Sequence, residues 1–93
     1  MALFSVKLKI TGRVQGVGYR YYAERVANSM GVTGYVKNLS DGSVEVYAEG
    51  EESVLKNFIN SLKKGPPLSA VSNIKEDWNQ IGSHQFGGFY IKY

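Results

Sequence analysis

Hydrophobic periodicity switches between two residues and three to four residues along this 93-residue chain, and no other feature constrains its fold as tightly. Phe4, Val6, Leu8 and Ile10 alternate with Ser5, Lys7, Lys9 and Thr11, the pattern of a strand buried on one face. Residues 12–20, GRVQGVGYR, then interrupt any regular element with Gly12, Gly16 and Gly18. Tyr19, Tyr22, Ala23, Val26, Ala27 and Met30 recur at helical spacing, and Gly31 stands where a left-handed cap ends such a helix. A strand through Tyr35, Val36 and Lys37 leads to Asp41-Gly42, a hairpin signal, and returns through Val44, Val46 and Ala48.

Gly50 is expected to open a second helix. Glu51 and Glu52 lie in its first turn, Val54, Leu55, Phe58, Ile59 and Leu62 form its apolar stripe, and Lys63-Lys64-Gly65-Pro66 end it. Val71 and Ile74 are out of phase for one straight strand, which predicts a bulge or register change before Trp78. Residues 79–88 read as a loop, and Phe89, Ile91 and Tyr93 as a final strand. The order is βαββαβ, with the short last strand as part of the return. With right-handed crossovers it predicts one α+β domain over residues 1–93: an antiparallel sheet with both helices on one face. That is a ferredoxin-like sandwich, an architecture shared by unrelated activities, so function must be argued from a site.

Composition removes several options. The chain has no cysteine, which excludes disulfides, thiolate nucleophiles and cysteine-held zinc. Its one histidine, His84, has no second histidine to join it, so neither a metal site nor a cofactor is expected; in its polar loop it is expected to be solvated. No apolar run approaches the roughly 20 residues that span a bilayer. The alternating N-terminus suits a strand better than a secretory signal, which makes the cytoplasm the expected compartment. A formal charge of +3 admits an anionic partner without selecting one.

The loop after the first strand is the first candidate site. A glycine-rich turn entering a helix exposes backbone N–H groups that bind anions, although its glycines can equally serve only a tight turn. Both common phosphate fingerprints fail: the loop closes with Gly18-Tyr19-Arg20 instead of Gly-Lys-Ser/Thr, and Tyr21 occupies the third glycine's place in a dinucleotide motif. Arg20 is the anomaly. A cation in the first helical turn opposes the macrodipole by about 0.3–1 kcal/mol, a conflict that a bound phosphate would relieve. The alternative is an arginine that points into solvent. Asn38 is the second candidate, either as a turn residue making an Asx hydrogen bond or as an amide holding a water and a phosphate oxygen.

GRVQGVGYR together with GYVKNLSDGSVEV, and the tail FYIKY, resembles the acylphosphatase family over essentially the whole chain. Tyr19, Tyr35 and Lys37 replace the phenylalanine, tryptophan and arginine often found at those positions. The resemblance implies a small free-standing enzyme that hydrolyses acyl phosphates without metal. By the same resemblance, Gln15, Gly16, Val17, Gly18 and Tyr19 match a phosphate-cradling loop, Arg20 the phosphate-binding arginine, and Asn38 the asparagine that holds the attacking water. The residue inventory suits that chemistry. There is no obvious general acid, and a carboxylate leaving group, with a conjugate-acid pKa of roughly 4, needs none.

The implied partner is a small acyl phosphate, with no nucleic acid, no membrane and a monomeric state expected. The Tyr93 carboxylate is expected within reach of Arg20. The competing reading is a non-catalytic anion- or RNA-binding module using strand tyrosines such as Tyr47, Tyr90 and Tyr93. Against it, the RNP1 pattern is absent. Trp78 is expected to pack rather than stack on a ligand.

Overall fold

Alternation in the first segment becomes strand β1 (Leu3–Arg13), whose Val6, Leu8 and Ile10 are fully buried. In the computed structural model, which describes residues 2–93, six further elements follow. They are α1 (Tyr19–Met30), β2 (Thr33–Asn38), β3 (Val44–Gly50), α2 (Glu52–Lys64), β4 (Ala70–Ile81) and β5 (Phe89–Lys92). The strand order is β4-β1-β3-β2-β5, with β1 central to the long antiparallel pairs. Val44, Val46 and Ala48 of β3 join Val6, Leu8 and Ile10 in a core that also takes Ala23 and Ala27 of α1 and Leu55, Phe58 and Leu62 of α2. Full burial of each large aliphatic or phenyl side chain contributes about 1.5–3 kcal/mol, which holds both helices to the sheet.

Three expectations need correction. The sheet is mixed, not wholly antiparallel, because β5 pairs with β2 in parallel, Val36 opposite Ile91 and Lys37 opposite Lys92. Gly50 ends β3 opposite Phe4 instead of opening α2, whose N-cap is Glu51. The stretch read as a loop from Asn79 begins as strand, since β4 continues to Ile81 opposite Leu3. The predicted irregularity is present. Thr11 pairs with Asn73 and Gly12 with Val71, so Ser72 is the extra residue that brings Val71 and Ile74 onto one face. Further along that strand, Trp78 packs edge-on against Phe4 as expected.

The helices meet through their ends. At the end of α2, Ser61 O accepts from the cap N–H of Gly65 and Leu62 O lacks a backbone donor; α1 supplies a side-chain donor to each. Tyr19 OH donates to Leu62 O at 2.6 Å and Tyr22 OH to Ser61 O at 2.7 Å. Burial, with Tyr22 nearby adding to it, pushes the Tyr19 phenol well above its usual range, so it stays a neutral donor. Gly31 closes α1 in the left-handed conformation, as its position predicted.

The other sheet face carries a buried carboxylate. Glu49 is fully shielded and accepts hydrogen bonds from Thr33 Oγ1 (2.8 Å), Tyr47 OH (2.9 Å) and the N–H groups of Gln85 (2.8 Å) and Phe86 (3.2 Å). His84 is not simply solvated, since its Nδ1 lies 2.9 Å from Thr33 Oγ1 and 3.6 Å from Glu49. Because the Thr33 hydroxyl hydrogen goes to Glu49, the His84 nitrogen must be the donor in that pair. No helix among the described residues is long and apolar enough to cross a membrane.

Candidate active site

Parallel pairing of β5 with β2 brings the end of the chain beside the start of α1. A cleft of about 280 Å³ opens there, lined by Val14, Gly16, Gly18, Tyr19, Arg20, Tyr21, Asn38, Ile91 and Tyr93. The sequence-predicted residues Gly16, Gly18, Tyr19, Arg20 and Asn38 therefore meet, although Asn38 comes from a different element. Gln15 and Val17 do not line the cleft. The Gln15 amide is bonded to the β2–β3 hairpin, and Val17 packs against the core. The Tyr19 side chain is buried and its hydroxyl is engaged with α2.

The loop is shaped by positive backbone angles at Gly16 (φ 74°) and Gly18 (φ 79°). A Cβ at either glycine would meet nothing within 4 Å, so conformation, not crowding, demands glycine there. Gly18 is also the N-cap of α1 and offers no side chain to the first helical N–H groups. The first turn contains no acidic residue. Unfilled N–H groups, a positive dipole end and an arginine thus gather at one wall of the cleft, an arrangement suited to an anion.

Arg20 is held by stacking. Its guanidinium lies 4.9 Å from the centroid of the Tyr93 ring. The ion pairs among the described residues are Lys9–Asp41, Lys37–Glu45 and Lys56–Glu52, and His84 approaches Glu49; none involves Arg20, so the expected contact with the Tyr93 carboxylate is replaced by a contact with its ring. The charge of Arg20 is left uncompensated beside the loop.

Asn38 enters the cleft lining from the end of β2. Its Oδ1 is buried and has no hydrogen-bond partner among the described residues. The turn does not use it. Asp41 is the turn's Asx residue, accepting from Ser43 N at 3.0 Å and from the Ser43 hydroxyl, and pairing with Lys9 Nζ at 2.9 Å. Those donors, Ser43 first, hold the Asp41 carboxyl well below its usual range.

Sequence reasoning missed Val14, Tyr21 and Ile91 as lining residues. The last of these depends on a strand pairing that local sequence does not encode. On the helix-free face Tyr90 is exposed, while Tyr35, Tyr47 and Phe86 are engaged with one another. Tyr35 and Tyr47 stack at 5.8 Å and Phe86 covers both, at 5.7 and 5.6 Å, so these three rings pack as a cluster instead of standing as separate stacking platforms. Among the described residues no group of three or more His, Cys, Asp or Glu could hold a metal ion.

A ferredoxin-like sandwich with a glycine loop, a free arginine and an unpartnered asparagine around one cleft defines a class of small α+β proteins built to receive an anion. Comparison with known proteins narrows the class. The acylphosphatase family profile matches residues 6–91. The acylphosphatase of Thermotoga maritima is 45% identical over 89 residues, spanning 96% of this chain and 97% of that one. That of Caldanaerobacter subterraneus is 51% identical over 74 residues, 80% of this chain and 82% of its own. The crystal structure of the Bacillus subtilis acylphosphatase superposes with a TM-score of 0.92 at 37% identity, over 97% of this chain and 99% of that one. The chain belongs to the acylphosphatase family and is an acylphosphatase enzyme.

Proposed function

We propose that the cleft hydrolyses the carboxyl–phosphate bond of small acyl phosphates by direct attack of a water held by Asn38. The observation that carries this reading is the buried, unpartnered Oδ1 of Asn38, a residue that lines the same cleft as the uncompensated Arg20. A buried acceptor without a donor costs about 1–3 kcal/mol, a penalty that a water hydrogen removes. Such a water is aligned with its oxygen lone pair toward the phosphorus.

The phosphoryl group sits against the loop around Gly16 and Gly18 and the start of α1, with Arg20 on its equatorial oxygens. Charge there is stabilised by groups already in place, which is where most of the rate gain in phosphoryl transfer arises. The water oxygen forms the new P–O bond while the bond from phosphorus to the acyl oxygen breaks. The carboxylate leaves with that electron pair, and its weak basicity makes a general acid unnecessary. The water's proton passes to a phosphoryl oxygen, giving inorganic phosphate and a carboxylate. No covalent phospho-enzyme forms. The cleft is complete within one chain, so a monomer suffices, and an enzyme acting on small metabolites of this kind suits the cytoplasm.

Acetyl phosphate hydrolysis in the presence of a chelator, with Arg20→Gln and Asn38→Ala checked for folding, tests the reading. Arg20→Gln should raise KM and lower kcat, while Asn38→Ala should lower kcat by at least about a hundredfold with a smaller change in KM. Full activity in both folded variants would overturn the assignment.

A further inference from the structure

We propose that Gln15 is a positioning residue that sets the distance between the phosphate cradle and Asn38. This rests on the reading of the site given above. Gln15 immediately precedes Gly16 in the loop, yet its side chain leaves the cleft. Its Nε2 donates to Leu39 O at 2.8 Å and to Ser43 O at 2.9 Å. Leu39 follows Asn38, and Ser43 precedes Val44, the residue paired with Asn38 across the ladder. One amide group therefore grips both arms of the turn, one residue beyond the Asn38–Val44 pair that ends the ladder.

The hairpin does not need this grip to exist. Leu39 N donates to Ser43 O at 2.8 Å and Gly42 N to Leu39 O at 3.2 Å, so each carbonyl already has a backbone donor. Lys9, Asp41 and Ser43 brace the turn further. A carbonyl has two lone pairs, and Gln15 takes the second of each. Removing the amide leaves the turn closed but unties it from the loop that precedes Gly16 and Gly18. In-line attack is sensitive to displacements of about 1 Å between nucleophile and phosphorus, so the loss falls on the chemical step. Phosphate binding depends on the loop and Arg20, which stay on their own element.

Gln15→Met keeps the length of the side chain and removes both donors. Acetyl phosphate kinetics, with inorganic phosphate as a competitive inhibitor, should show kcat lowered about tenfold or more and the phosphate Ki changed less than about threefold. In an Asn38→Ala background the same substitution should change kcat by less than about twofold, because its effect passes through Asn38. Gln15→Asn, one methylene too short to reach both carbonyls, should repeat the pattern if the methionine variant folds poorly.

A kcat within about twofold of wild type, equal losses in both backgrounds, or a Ki that rises in step with the fall in kcat would each overturn the inference. Failure of the underlying reading looks different: Arg20→Gln and Asn38→Ala would then remain active whatever Gln15 does.

Discussion

The guanidinium of Arg20 lies 4.9 Å from the centroid of the Tyr93 ring, so the strand that ends the sheet supports the cation that begins α1. An exposed cation–π contact is worth about 0.5–1 kcal/mol, mostly through restraint of a long side chain. Tyr93→Ala should raise KM for an acyl phosphate about two- to fivefold with little change in kcat, and Tyr93→Phe should restore it. Steady-state kinetics on the two variants decides this. A deficit that Tyr93→Phe does not repair would assign the effect to the hydroxyl.

Glu49 lies on β3 opposite Thr33, which starts the strand that Asn38 ends, and binds the segment that carries His84, Gln85 and Phe86. Glu49→Ala leaves four donors without their acceptor and should cost about 3 kcal/mol in denaturant unfolding, while kcat and KM of the folded enzyme stay unchanged. Burial alone would raise its pKa. The N–H of Gln85, the Thr33 and Tyr47 hydroxyls and the N–H of Phe86 outweigh that effect and lower it below the ordinary value of 4.5. A lowered folded-state pKa means that the stabilisation is complete above the unfolded value and disappears as pH falls through the folded one. Stability should therefore decline on acidification below about pH 4.5, and the decline should be shallower in Glu49→Gln. Equal slopes in the two proteins would assign acid sensitivity to other carboxylates.

Gly18 and Gly34 both have positive φ but should respond differently to alanine. At Gly18 (φ 79°) the new methyl group meets nothing, so the cost is conformational, about 1–2 kcal/mol, with a larger effect on phosphate affinity through the distorted loop. At Gly34 (φ 140°) the Cβ would lie 1.8 Å from Tyr47 O, across the tightly paired β2–β3 ladder. Gly34→Ala should lose well over about 4 kcal/mol and yield little folded protein. Thermal unfolding and a phosphate inhibition constant separate the two behaviours.

Tyr19→Phe and Tyr22→Phe each remove a donor to the last turn of α2, at Leu62 and Ser61. Each should cost about 1 kcal/mol, more at Tyr19 because its carbonyl partner is buried with it. Neither should change kcat, since both hydroxyls point away from the cleft. Loss of activity in folded Tyr19→Phe would show that the α1–α2 junction controls the loop as well as stability.

Much of this was legible in the sequence because burial on one face imposes a period. Val6, Leu8 and Ile10 announce β1, and the mismatch between Val71 and Ile74 announces the bulge that corrects it. Asn79, Gln80 and Ile81 were misread because β4 is an edge strand, where outward positions need not be apolar. The parallel docking of β5 was invisible, since periodicity reports which face is buried and not which neighbour pairs. Local sequence could not choose between Asn38 and Asp41 as the turn's Asx residue, because either fits a hairpin. The structure gives that task to Asp41 and leaves Asn38 in the cleft. Glu49 gave no local signal either, for its partners at Thr33 and at residues 84–86 are distant along the chain.

The parallel seating of β5 against β2 also orders events during synthesis. Gly16, Gly18, Arg20 and Asn38 leave the ribosome early, but the wall formed by Ile91 and Tyr93 is the last part of the described chain to emerge. A nascent chain can fold its first hairpin and helix while its cleft still lacks one side. Turnover should therefore begin only once β5 has emerged and docked against β2, so catalytic competence waits on the pairing that closes the cleft.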